Sequence, residues 1–344
     1  HIDQSFNSLS KYEKGEFLLN WAHKNVLKEY FEEQTRMDTL IDTGRYNCVS
    51  SAIFYLILSR EAGLNTETIE TIDHAFCSVE TDSGWIDVET TTAYGFEPGL
   101  KREFQQSFNQ TGYTYVPPGN YRNRNQINDK EAVSLIIQNR MSILQKHNDH
   151  APAVGLAIDR WTLWDDDNNY RDMNDSFKNW AAVLNNRDNY REAFEFLNLV
   201  SKIYNLTEVN SDLLYDLAYN QLITYTNMNN YSEAENFLLT TKNSINTNDY
   251  SRLEKLFVRE QVSYEVVNTE YKESIIIVRD SYGHGSIIKK DWKNWVTVLN
   301  QKEALLIADN YGWWSAWEFL KGLPEEEKAI PNIKRSIRTA HENW

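Results

Sequence analysis

Cysteine is scarce. The chain has two, Cys48 and Cys77, among 344 residues, which excludes a disulfide-rich scaffold. Long apolar runs are missing too, and nothing approaches the roughly 20 consecutive residues a bilayer span requires. Positive charge falls short of negative, with 35 Lys and Arg against 50 Asp and Glu and a formal net charge of −15. Such a balance disfavours nucleic acid and anionic membrane surfaces as partners. The 7 histidines show no metal-ligand spacing, and the acidic run Asp165, Asp166, Asp167 lacks the glycine and distal glutamate of a calcium loop, so it reads as a solvated turn. The chain opens at His1 instead of methionine, from which we expect an N-terminal segment to have been removed, as in an exported protein. Oligomeric state has no signature in the sequence.

Apolar material is ample. Hydrophobic content is 41%, with 11 Trp, 20 Tyr and 14 Phe, which argues against disorder. The length favours two domains.

Cys48, His74, Asp87 and Glu89 fall within one stretch of about 45 residues, and a thiol, an imidazole and a carboxylate are the parts of a nucleophilic acyl-transfer site. The segment 46–64 places Cys48 ahead of an apolar helical run, Ala52, Ile53, Leu56 and Ile57, that stops at Gly63. A helix start favours thiolate over thiol and offers free N–H groups to an oxyanion. Residues 73–80 alternate like a half-buried strand, and a turn at 81–84 leads into a second strand over 85–91. The hairpin puts His74 near acids on the neighbouring strand. Cys77 has the opposite parity to His74 and should pack in the core; a Cys48–Cys77 disulfide is the competing arrangement. Residues 9–33 carry Phe17, Leu18, Trp21, Val26, Leu27 and Phe31 at helical spacing, predicting a helix against the cysteine-bearing one.

These residues resemble the transglutaminase-like cysteine enzymes, whose papain-like arrangement packs a cysteine-bearing helix on a sheet that carries histidine and an acid. The matching features are the polar pair before Cys48, the Arg60-x-x-Gly63-Leu64 helix end, the His74-Ala75-aromatic strand and the Gly84-Trp85 opening of the acid strand. The family usually has aspartate four residues after that tryptophan, where this chain has Glu89; Asp87 shares its face of the strand and is the alternative. The resemblance implies an α+β domain over residues 1–125. It implies thioester-based transfer or hydrolysis of a protein or peptide amide by Cys48, His74 and Glu89 or Asp87, with neither metal nor organic cofactor. A non-catalytic scaffold that keeps the fold and binds proteins is the alternative function.

A second pattern begins after the Gly, Pro and Asn-rich stretch 112–128, which reads as a connecting loop. A turn and helix start recur at 148–157, 188–197, 229–238 and 269–278, with a weaker match at 309–320. Their anchors His150, Tyr190, Tyr231, Tyr271 and Tyr311 are spaced by 40, 41, 40 and 40 residues, the mark of a helical array. The units resemble tetratricopeptide repeats, with small residues Ala153, Ala193, Ala234 and Ser274 three positions after the anchors. That resemblance implies an all-α superhelical domain over 129–344, closed by a helix from Pro324 to Trp344. Eleven residues before the anchors stand Asn139, Asn179, Asn220, Glu260 and Asn300. In the resembled repeats this position faces a concave groove, so the four asparagines are expected to bind a peptide partner, neutral or basic given the acidic chain. Trp313, Trp314 and Trp317 read as interhelical packing.

Overall fold

Two reciprocal caps set the helices of the N-terminal part. The structure is a computed structural model that describes residues 4–71, 74–98 and 124–344. After a short helix α1 (Gln4–Asn7), Ser10 accepts from the N–H of Glu13 at 3.3 Å while the Glu13 carboxylate accepts from the Ser10 N–H at 2.9 Å, starting α2 (Lys11–Asn25). A two-residue strand β1 (Glu29–Tyr30), helix α3 (Met37–Thr43) and strand β2 (Arg45–Tyr46) follow, with β1 and β2 parallel. Asn47 and Ser50 then form the second capping box and launch α4 (Cys48–Glu61). α2 packs on α4, as the apolar spacing of residues 9–33 predicts, through a core that includes Leu18, Leu19, Ala52, Tyr55 and Leu56.

The sheet on the other side of α4 has the order β5-β4-β3-β6, with antiparallel neighbours. Its strands are β3 (Thr66–Glu70), β4 (Ala75–Thr81), β5 (Gly84–Val88) and β6 (Asn125–Ile127). The hairpin at 81–84 forms as the alternation predicts, with Thr81 opposite Gly84. Two strands exceed the sequence reading. β3 has no strict alternation to announce it, and β6 consists of three residues inside the expected connecting loop, ordered by pairing Thr68 with Ile127. Most of that loop, residues 112–123, lies outside the described residues. Arg60 ties the layers together: its guanidinium donates to the Thr66 carbonyl at 2.9 and 3.1 Å and reaches both Asp129 oxygens at 2.7 Å.

Beyond β6 the described residues are helical: α5 (Asp129–Lys146), α6 (His150–Leu163), α7 (Asp167–Asn185), α8 (Tyr190–Ile203), α9 (Ser211–Asn227), α10 (Tyr231–Thr241), α11 (Thr247–Asn268), α12 (Tyr271–Gly283), α13 (Lys289–Tyr311), α14 (Trp313–Lys321), α15 (Glu325–Lys328) and α16 (Pro331–Asn343). None is long and apolar enough to cross a membrane. The fold is therefore mixed α+β, with a small antiparallel sheet and a mostly helical C-terminal part. The chain divides into two compact units, His1–Trp180 and Ala181–Trp344. Their junction lies beyond the 125–129 boundary read from sequence, because α5 packs against α4 and Asp129 at its start holds Arg60.

Four of the five anchors, His150, Tyr190, Tyr231 and Tyr271, are the first residues of α6, α8, α10 and α12. The small residues three positions on, Ala153, Ala193, Ala234 and Ser274, are all buried. The fifth anchor departs: Tyr311 ends α13, and Gly312 at φ 85° separates it from α14. The expected closing helix is likewise split, with a break at 329–330 between α15 and α16. Within the second unit, Val262, Val266, Ile275, Val278, Val296 and Leu320 belong to one core, on which Trp313 and Trp317 pack. Asp166 accepts from the Asn169 N–H at 2.7 Å and from the Trp164 indole at 2.8 Å, so the acidic run starts α7.

The turns show why the first three repeats carry Asn or Asp two residues before the anchor. Asn148, Asp188 and Asn229 take φ of 58°, 60° and 56°, the left-handed region that short polar side chains tolerate and other side chains resist. Asn229 is exposed, so its substitution isolates the backbone effect. Asn229→Ala should cost about 1 kcal/mol in a denaturant titration of the full chain, whereas Asn229→Gly should be close to neutral.

Candidate active site

Cys48 is the first residue of α4, at the end whose N–H groups lack intrahelical partners. Asn47 caps that end by accepting from the Ser50 N–H at 2.9 Å, while Ser50 Oγ accepts from the Asn47 N–H at 2.9 Å. The cap fixes where the helix begins, and hence where the thiol stands. Cys48 is 6% exposed and lines a cleft of about 240 Å³ with His74, Thr35, Asn47, Glu70 and residues of α5.

His74 reaches the same cleft from the short connection between β3 and β4, where its carbonyl accepts from the Thr71 N–H at 2.8 Å. Its Nε2 donates to Glu89 Oε2 at 2.6 Å, and both side chains have 0% exposure. Burial disfavours the imidazolium, but the Glu89 charge, the neighbouring Cys48 and the Glu89 hydrogen bond outweigh it and push His74 up to about 10. The ring thus stands between a thiol and a carboxylate. With Nε2 taken by Glu89, Nδ1 is the ring nitrogen left for the thiol.

Glu89 stands one residue past β5. Its other oxygen accepts from the Thr91 N–H at 3.1 Å and the Thr91 hydroxyl at 2.7 Å. Its own N–H donates to the Gly95 carbonyl at 2.8 Å, and a Cβ at Gly95 would lie 1.8 Å from the Glu89 carbonyl oxygen. Only glycine fits there. The next residues are anchored from α4, α2 and β2. Ser51 and Thr90 share a hydroxyl hydrogen bond at 2.9 Å, the His23 ring donates to the Thr90 carbonyl at 3.1 Å, and the Tyr46 hydroxyl donates to the Thr91 carbonyl at 3.0 Å. Burial, opposed by the Thr90 hydrogen bond and Glu89, lowers His23 to about 4, and burial beside Glu89 pushes Tyr46 up to about 12. His23 and Tyr46 are therefore neutral supports of the acid segment at neutral pH.

The alternative acid, Asp87, is occupied differently. Arg124 donates to both its oxygens at 2.7 and 2.9 Å and stacks over Phe76, with the guanidinium carbon 5.0 Å from the ring centroid. The pair is buried, so Asp87 neutralises an arginine that the sequence reading did not single out. Cys77 packs in the core, with its thiol donating to the Ala52 carbonyl at 3.2 Å, and burial pushes its pKa well above the free value. Both cysteines are free, so the disulfide is absent.

The four asparagines do not share one environment. Asn139 lines the Cys48 cleft itself. Asn179 is exposed and borders a separate hollow with Gln138 and Arg160. Asn220 donates to Asn185 Oδ1 at 3.1 Å. Asn300 corrects the expectation of a partner-facing amide: it is 0% exposed, accepts from the Tyr271 hydroxyl at 2.7 Å and donates to the Val296 carbonyl at 2.9 Å and to Glu327 at 3.1 Å. Its amide completes an internal network because α13 turns that face toward the core of the second unit. Among the described residues, no group of three or more metal-ligating side chains assembles.

Sequence reasoning missed Thr91, Gly95, Tyr46, His23 and Arg124 as neighbours of the site or its acids. The Glu-Thr-Thr run at 89–91 held a local signal, since hydroxyls next to a carboxylate can bond it. Comparison with protein-family models, with curated proteins and with solved structures yields no match.

Because His74 is raised from 6.5 when folded, its pairing with Glu89 stabilises the chain fully below pH 6.5 and ceases to do so as pH rises through about 10. Glu89→Gln should therefore lower stability by about 3 kcal/mol near pH 6, and the gap from the unmodified chain should shrink steadily toward pH 10 in denaturant titrations. A gap independent of pH would mean that the pair carries no charge.

Proposed function

We propose that the first unit is a transglutaminase-like thiol enzyme that transfers or hydrolyses acyl groups of protein or peptide amides, and that the repeats, akin to tetratricopeptide units, engage a protein partner. The observation that carries the reading is His74, buried between the Cys48 thiol and the Glu89 carboxylate at the start of a helix. In the resting site the imidazole already holds the proton and Cys48 stands beside it as the thiolate, whose sulfur attacks the substrate carbonyl. The imidazolium is balanced by Glu89, and the oxyanion lies where the first-turn N–H groups of α4 can receive it. As the C–N bond breaks, His74 returns the proton to the departing amine and a thioester remains. Water or a second amine, deprotonated by His74, then attacks the thioester and regenerates the thiol. Glu89 takes the orienting role in this scheme, while Asp87 stays with Arg124. Neither step needs a metal or an organic cofactor.

The test is alkylation by iodoacetamide at pH 6, read by mass spectrometry of the Cys48 and Cys77 peptides. Cys48 should react at least about tenfold faster than glutathione, with Cys77 silent. His74→Ala should bring Cys48 to the rate of an ordinary thiol, and Glu89→Gln should lower it clearly. Asp87→Asn should lower stability, removing the charge that answers Arg124, more than it lowers the labelling rate. A Cys48 that alkylates at the glutathione rate in the unmodified chain would defeat the enzyme reading and favour a protein-binding scaffold.

A further inference from the structure

The cleft in front of Cys48 has a charge character that thiol chemistry alone does not use. Its charged lining residues, apart from His74, are Glu32 and Glu70, and no lysine or arginine is among the described residues that line it. Glu70 ends β3, just before Thr71, so the short connection that delivers His74 also fixes the backbone of this carboxylate. The Glu70 side chain has no hydrogen bond or ion pair among the described residues. Half-buried, it is pushed above the usual carboxylate range by desolvation and by Glu131, against the pull of Arg160.

Arg160, whose charge is felt at Glu70, is committed elsewhere: it is bonded to Ser134 at 2.9 Å, Asp172 at 2.5 Å and Gln138 at 3.0 Å. Glu70 also borders a neighbouring groove with Glu131, Asp166 and Asp172, in which Arg160 is the basic residue. A second, independent feature lies at the same cleft. Thr35 lines it, is 4% exposed, and its hydroxyl has no hydrogen-bond partner among the described residues. A buried hydroxyl left without a partner is costly, and a bound polar group would relieve that cost. At about 240 Å³ the cleft is smaller than the usual range for whole small ligands, which suits one side chain of a longer substrate.

We infer that the cleft selects acyl substrates bearing a cationic side chain, lysine or arginine, beside the reacting carbonyl, with Glu70 as the specificity-determining residue and the Thr35 hydroxyl completing a hydrogen bond to the substrate. The inference rests on the thiol-enzyme reading and adds the substrate class. Two carboxylates are too few for a divalent ion that demands six or more oxygen ligands, whereas one ammonium or guanidinium group is matched by them. Glu32 is more exposed and contributes through the field at the cleft mouth.

The experiment uses three matched probes, the chloromethyl ketones of acetyl-lysine, acetyl-norleucine and acetyl-glutamate, on the full chain, with second-order labelling of Cys48 read by mass spectrometry. The lysyl probe should outpace the norleucyl probe by about tenfold or more, and the glutamyl probe should be slowest. In Glu70→Gln the lysyl-to-norleucyl ratio should fall to within about threefold, and raised salt should lower it in the unmodified chain, a measurement that needs no variant. A ratio near one in the unmodified chain, or a ratio unmoved by both Glu70→Gln and salt, overturns the inference while leaving thiol activation intact. A norleucyl rate no faster than that of His74→Ala overturns the thiol-enzyme reading and the substrate class with it.

Discussion

A carboxylate and an imidazole with no solvent exposure can stay charged only if each answers the other and every remaining lone pair is met. The His74–Glu89 contact imposes that condition, and much of the first unit follows from it. Thr91 meets the second oxygen of Glu89, Gly95 gives its main chain room, and the threonines beside it are held by Tyr46, His23 and Ser51. These partners come from β2, α2 and α4, so the acid segment is the point where otherwise separate elements meet. Loss of the pair would leave one buried group without its counterpart, and for that reason the arrangement is intolerant of partial change.

The two acids show how far register carries and where it stops. Asp87 and Glu89 share a face by the two-residue period, so alternation leaves both open. What separates them is Arg124, distant in sequence, which occupies Asp87 and leaves Glu89 to the histidine. The cysteine helix, the hairpin and the packing of α2 were legible because each rests on local periodicity and capping. β3, β6, Gly95 and the supports of the acid segment were not, since each is defined by a neighbour across the sheet or across a layer, and a single sequence records no such pairing.

In the helical part the balance was reversed. Period and anchors mark where four helices start, because the small position after each must be buried and, in the first three, the turn before needs a backbone state that Asn and Asp tolerate. The failures are instructive in the same terms. Position alone put Asn300 with Asn139, but the first is sealed by Tyr271 and Glu327 while the second opens onto a cleft. Equal offset from an anchor fixes a helix face; what covers that face depends on the neighbours, and these differ from one repeat to the next.

The anchoring of Thr90 carries a consequence for the newborn chain. Cys48 and Glu89 are 41 residues apart, and the Ser51–Thr90 hydroxyl contact that joins their segments exists only once α4 has docked on the sheet. Closing such a loop comes after local hairpin formation, since non-local contacts must first overcome chain entropy. Until then Cys48 lacks the neighbours it has in the fold. Cys77, meanwhile, exchanges solvent for the interior in the same docking event. The two thiols thus part ways at a single folding step, one coming to line the cleft and the other sealed in the core.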